Sequence, residues 1–176
     1  MHEQDLVNVI DINYGREGGG REWYGERINN GSPITISDFN FPNISSSEPM
    51  YCRVHAGAHA SELSTFTITL GDQQRTMQTA RIDASDFYTQ LTTGVAKLNT
   101  AKSDSPTPSV KIQLSNTESG AYGYLNYVEL TAKRWLKMTD GILPIRWTNS
   151  GNDWWDSREN NVYHVSGAND KTQVWN

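Results

Sequence analysis

The chain has 176 residues, 36% of them hydrophobic and 10% aromatic, with six Trp, eight Tyr and a formal net charge of −5. That length supports one sizeable core, because chains of this size bury about two thirds of their extended surface. Scattered charges exclude nucleic acid as a partner, the lack of any run near the roughly 20 apolar residues of a membrane helix excludes helical insertion, and the single Cys52 excludes an internal disulfide or a tetracysteine zinc site.

Short segments in which apolar and polar residues alternate recur along the chain, each bounded by Gly, Pro, Asn, Asp or Ser. In chain order, this pattern predicts strands over residues 7–14, 34–39 and 50–55. A hairpin follows: Phe66, Ile68 and Leu70 face one way, Thr65, Thr67 and Thr69 the other, Gly71-Asp72 supplies the turn, and residues 73–82 return. Residues 91–98 are the best helical candidate, weakened by Thr92-Thr93-Gly94. Further strands are predicted over residues 110–115, 122–136, 142–147 and 161–165. The stretch 122–136 exceeds a typical strand, and Ala132-Lys133-Arg134 is read as a bend or bulge where it passes from one sheet to the other. Residues 16–21 and 102–109 read as loops. The expected fold is all-β, a jelly-roll-like antiparallel β-sandwich. Residues 1–176 form a single domain on this reading, and Met1 before His2-Glu3-Gln4 reads as a start placed on a fragment of a larger multidomain protein.

No residue set stands out as catalytic. Alternation puts Met50, Cys52 and Val54 on one face, so Cys52 reads as a small buried hydrophobe. His55, at an odd separation on the same strand, points the other way and is poorly placed to activate the thiol. The spacing of His55 and His59 suits a metal only on a helix, and Ala56-Gly57-Ala58 argues against one, so no metal site is assigned. Carboxylates at Asp153, Asp156 and Glu159 fall at i, i+3 and i+6, a spacing unlike a calcium loop with ligands at alternate positions. Calcium is therefore left open and no cofactor is assigned. The glycine-rich residues 15–20 lack the spacing of a phosphate cradle. The adjacent Trp154 and Trp155, flanked by Asn152, Asp153 and Asp156, are the candidate binding residues: two rings in a polar loop offer a platform to a glycan or a protein. The competing reading has one ring plugging the end of the sandwich and the other lying against a neighbouring domain.

Four segments together resemble one family. Glu22-Trp23-Tyr24-Gly25-Glu26 is similar to an early element in the N-terminal region of gingipain-type cysteine peptidases, in particular the PorU-type sortases of the type IX secretion system. Phe39-Asn40-Phe41-Pro42-Asn43-Ile44 with Ser47-Glu48-Pro49 resembles the strand and turn that follow. Tyr124-Leu125-Asn126-Tyr127-Val128-Glu129-Leu130, with Arg134 and Leu136, resembles the long strand, with Asn126 where the family usually has Asp. Tyr163-His164-Val165 through Val174-Trp175-Asn176 resembles a segment reading toward Val-Trp-Asp-Val-Thr, again with Asn for Asp. The resemblance implies a secreted, periplasmic or cell-surface Bacteroidetes protein, with a non-catalytic accessory or docking domain ahead of the peptidase region. No catalytic residue of the family falls on this chain. The implied partners are other domains of the same polypeptide or secretion-system proteins. A carbohydrate-binding module using Trp154 and Trp155 is the rival reading, and a fragment active through Cys52 is a third.

Overall fold

Phe66, Ile68 and Leu70 are fully buried while the threonines between them are half-exposed, so the alternation in this stretch translates directly into a strand with one face on the core. The computed structural model describes residues 1–9, 22–86, 89–138, 141–145 and 163–174. The chain divides into two units, Met1–Lys133 and Arg134–Asn176.

The first unit holds nine strands among the described residues: β1 (His2–Glu3), β2 (Arg27–Asn29), β3 (Ile34–Ile36), β4 (Tyr51–His59), β5 (Ser64–Leu70), β6 (Gln73–Thr79), β7 (Thr92–Leu98), β8 (Val110–Ser115) and β9 (Tyr122–Thr131). One sheet runs β1-β9-β4-β7, with β2 also paired to β9, and the other runs β3-β8-β5-β6. All pairings are antiparallel. The links β2–β3, β3–β4, β4–β5, β6–β7, β7–β8 and β8–β9 each carry the chain from one sheet to the other, and β5–β6 is a hairpin within one sheet. The orders β2-β9-β4-β7 and β3-β8-β5-β6 are those of a jelly roll. The fold is thus the expected all-β sandwich.

Between the sheets lie Val54, Ala56, Leu125, Val128 and Leu130 from one layer and Phe66, Ile68, Leu70, Ile112 and Leu114 from the other. Gly123 of β9 makes room for the Phe66 ring. A Cβ built at this glycine meets the Gly57 carbonyl oxygen at 2.6 Å and Phe66 Cζ at 3.0 Å. Where the sheets meet at one edge, Gly94 of β7 likewise leaves space for the Met77 sulfur of β6, and the Thr92 hydroxyl donates to the Ala80 carbonyl.

Several expected boundaries change. Residues 92–98 form β7 instead of a helix: Ala96 and Leu98 alternate with exposed Val95 and Lys97, and pairing with β4 satisfies the backbone. β9 stops at Thr131 and stays in one sheet, and its irregularity is not at residues 132–134. The register shifts instead between His55 and Ala56: His55 pairs with Tyr127 and Ala56 with Leu125, leaving Asn126 as the extra, bulged residue. Val7 forms an isolated bridge with Tyr24, and residues 10–14 of the first predicted strand lie outside the described residues. In the second unit, the described parts of the expected strands, 142–145 and 163–165, are not strands. Pro144 withholds a ladder donor, and Ile142 is 86% exposed, so no buried face rewards pairing there. Lys137 bridges Ser166 in parallel fashion, and Arg134 Nη2 donates to the Pro144 carbonyl at 2.8 Å.

Replacing Gly123 with Ala forces the Phe66 ring or the β4 backbone to move, and a loss of about 1–3 kcal/mol is expected for overpacking of this kind. Urea denaturation measures it. Gly120→Ala, with nothing within 4 Å of the added methyl, is the matched control and stays near parent stability.

Candidate functional site

Side chains that leave the core on the five-stranded sheet point to its outer face, and β4 and β9 put an unusual set there. Tyr51, Arg53, His55 and His59 of β4 stand opposite Thr131, Glu129, Tyr127 and Tyr122 of β9. Strict alternation from the buried Val128 and Leu130 would turn Tyr122 and Tyr124 inward, away from Tyr127. The bulge at Asn126 reverses the phase, so that Gly123 and Leu125 face the core and all three tyrosines share the outer face.

The rings are in contact. His59 stacks on Tyr122 at 5.0 Å between centroids, Tyr122 meets Tyr124 edge-on at 5.9 Å, and His55 lies 5.5 Å from Tyr127 and 6.5 Å from Tyr24. Two guanidiniums complete the row: Arg27 lies 4.1 Å over the Tyr122 ring and Arg53 lies 5.5 Å over that of Tyr127. His59 is fixed further by a 2.8 Å contact of Nδ1 with the Gln90 carbonyl. Tyr24 is buried, and its hydroxyl donates to Glu22 at 2.8 Å. Burial and that carboxylate push the phenol well above its ordinary range. Burial lowers the pKa of His55, so its ring is neutral at pH 7.

Cys52 takes the opposite direction. It is 3% exposed and flanked in register by Leu98 and Leu130, and burial pushes its thiol up to about 12. A thiol held protonated and facing the core, with His55 on the other face of the strand, is not an activated nucleophile. Among the described residues no cluster of three or more His, Cys, Asp or Glu is placed to hold a metal ion. The sequence-derived candidates Trp154, Trp155, Asn152, Asp153 and Asp156 all lie outside the described residues. What the sequence reading missed is the tyrosine row. The run Tyr122-Gly123-Tyr124-Leu125-Asn126-Tyr127 signals it only if a bulge is placed at Asn126, because an odd separation otherwise splits the rings between faces.

A second feature anchors the edge of this sheet. His2 of β1 is buried between two carboxylates, with Nδ1 2.7 Å from Asp38 Oδ2 and Nε2 2.6 Å from Glu26 Oε1. Burial works to lower the His2 pKa, but the hydrogen bonds to Asp38 and Glu26 outweigh it, and the net shift is upward from 6.5. The bond to His2 is the main cause of a downward shift at Asp38 from 3.8. A raised histidine contributes stability that is complete below 6.5 and lost as the pH rises through its folded value; a lowered carboxylate contributes above 3.8 and loses it on acidification. The clasp is therefore strongest between about pH 4 and 6.5. Thermal melts are expected to show the largest difference between the parent and His2→Phe in this window, narrowing steadily toward pH 9.

No protein-family model matches the chain, and no curated protein matches it. Among solved structures it is similar to dimeric latent PorU from Porphyromonas gingivalis, with a TM-score of 0.57 and 15% identity over 78% of this chain and 12% of that one. The chain thus spans a small part of PorU, and the likeness is one of fold. Two carbohydrate-binding modules align at lower scores. One is CBM36 in complex with calcium and xylotriose, with a TM-score of 0.39 and 13% identity over 60% of this chain and 78% of the module. The other is the C-terminal CBM6 of LamC from Zobellia galactanivorans, with a TM-score of 0.36 and 17% identity over 61% of this chain and 80% of the module.

Proposed function

We propose that the chain is a non-catalytic docking domain of a gingipain-like, PorU-type cysteine peptidase that serves type IX secretion and the attachment of cargo at the cell surface. The observation that carries this reading is the outer face of the five-stranded sheet, where Tyr122, Tyr124, Tyr127, His55, His59, Arg27 and Arg53 are held by ring contacts and are only partly buried. Tyr and Arg are enriched at the energetic centres of protein interfaces. Side chains already packed against one another lose little freedom on binding, so more of the contact energy is retained.

Two of the four segments that resemble PorU-type proteins build this face. Glu22–Glu26 supplies Tyr24, and the stretch from Tyr124 to Leu130 supplies Tyr124, Tyr127 and the bulge. The sandwich fold shared with part of PorU agrees with that reading. The partners are other domains of the same polypeptide or proteins of the secretion system, met in the periplasm or at the outer membrane surface. Catalysis belongs to a later peptidase region, and the buried Cys52 takes no part in it. Surface plasmon resonance against the peptidase region encoded in the same gene tests this. Binding is expected, weakening about thirtyfold in the Tyr122→Ala/Tyr127→Ala double variant, the equivalent of about 2 kcal/mol for a hot-spot loss. A gene without such a region, or no measurable binding, overturns the reading.

A second reading rests on a different feature, the Trp154-Trp155 pair with Asn152, Asp153 and Asp156 beside it. Two indoles stack on sugar rings while amide and carboxylate groups bond to hydroxyls, which makes this segment a glycan platform, and calcium held nearby is compatible with it. Glycan-array binding that disappears in both Trp154→Ala and Trp155→Ala is the expected outcome if this segment is the site.

A further inference from the structure

At the end of the five-stranded sheet where β4 begins and β7 and β9 finish, the outer face sinks into a shallow depression of about 290 Å³. Tyr51, Arg53, Lys97, Asn99 and Glu129 line it, together with Cys52 and Leu98. Arg53 pairs in register with Lys97 on one side and Glu129 on the other. The two cations thus stand side by side on adjacent strands. Like charges directly opposite each other are destabilising in a sheet. None of the salt bridges among the described residues involves Arg53, Lys97 or Glu129. The Arg53 guanidinium rests over the Tyr127 ring, at 5.5 Å.

We infer that this depression is a carboxylate-binding site that receives an acidic segment of a partner polypeptide. The inference rests on the docking reading of the same face and gives its partner a chemistry. A carboxylate seated between Arg53 and Lys97 relieves their repulsion and accepts charge-assisted hydrogen bonds from both, with the Asn99 amide beside it as a further donor. The attraction is local, because the chain as a whole carries −5. A polypeptide fits better than an acidic glycan for a second reason. Tyr51 and Val95 are each 42% exposed, Val95 in register with His55 on the same face, and they offer apolar contact to side chains next to the acidic residue.

The test is fluorescence anisotropy on the full 176-residue chain with labelled hexaglutamate as the probe and hexaserine and trigalacturonate as comparators. Hexaglutamate is expected to bind in a salt-sensitive way, to weaken about tenfold in Arg53→Ala and again in Lys97→Ala, and to bind more tightly to Glu129→Gln. All three positions are exposed, so circular dichroism of the variants should match the parent. Absence of hexaglutamate binding, equal binding by all variants, or tighter binding of trigalacturonate each overturns the inference. The same variants enter the docking measurement described above. Docking that survives Arg53→Ala but not Tyr122→Ala/Tyr127→Ala removes the carboxylate site alone. Hexaglutamate binding without docking to the peptidase region removes the docking reading instead.

Discussion

One extra residue in one strand sets the character of this domain. Across β4 and β9, pairing is regular from Tyr51–Thr131 to His55–Tyr127, and then Asn126 is skipped and the register resumes at Ala56–Leu125. Because side chains on a strand alternate faces, the insertion inverts the assignment of every residue beyond it. Leu125 and Gly123 are delivered to the core and Tyr124 and Tyr122 to the surface. Without it the bulky phenols would press on Phe66, and Leu125 would be stranded outside. The bulge and the absent side chain at Gly123 are two parts of one solution, since the Phe66 ring can cross to the opposite sheet only where a hydrogen stands in place of a methyl.

Polar contacts tie down the short strands at the edge of the five-stranded sheet. β1 contributes only His2 and Glu3, and β2 only Arg27 to Asn29, yet both pair with β9. His2 reaches across to Glu26 and Asp38, so one imidazole ties the first strand to residues flanking β2 and β3. A close approach at Gly25, where an added Cβ meets the Gln4 carbonyl oxygen at 2.8 Å, packs the same segments together. Tyr24 is thereby fixed beside His55, and the aromatic row continues from β9 through β4 to the segment preceding β2. On the opposite end, Asn116 and Glu118 perform a comparable task. The Asn116 amide donates to the Ser64 hydroxyl and to the Glu62 and Leu63 carbonyls, and Glu118 accepts from the amide and hydroxyl of Ser61.

β4 divides its thiol and its imidazoles between two faces of the sheet. The single thiol is buried in the core, while on the other face His59 stacks on Tyr122 and the His55 ring is tilted against Tyr127. The outer face presents phenols and guanidiniums in contact, with Arg53 and Lys97 side by side at one end.

The alternation of Phe66, Ile68 and Leu70 with threonines, and of Val110, Ile112 and Leu114 with Lys111 and Gln113, was enough to establish strands, a sandwich and the inward direction of Cys52, because a period of two allows a strand only one apolar face. The run 91–98 misled toward a helix, although Thr92-Thr93-Gly94 within it spoke against one: the propensity of a short apolar run does not say whether a neighbour will accept its backbone hydrogen bonds, and β4 does. The tyrosine face was equally hidden. Tyr122, Tyr124 and Tyr127 are visible in the chain, but their separations put them on different sides until a partner strand decides which residue is skipped. That choice belongs to β4 and Phe66, more than fifty positions away, and so only the assembled sheets determine it.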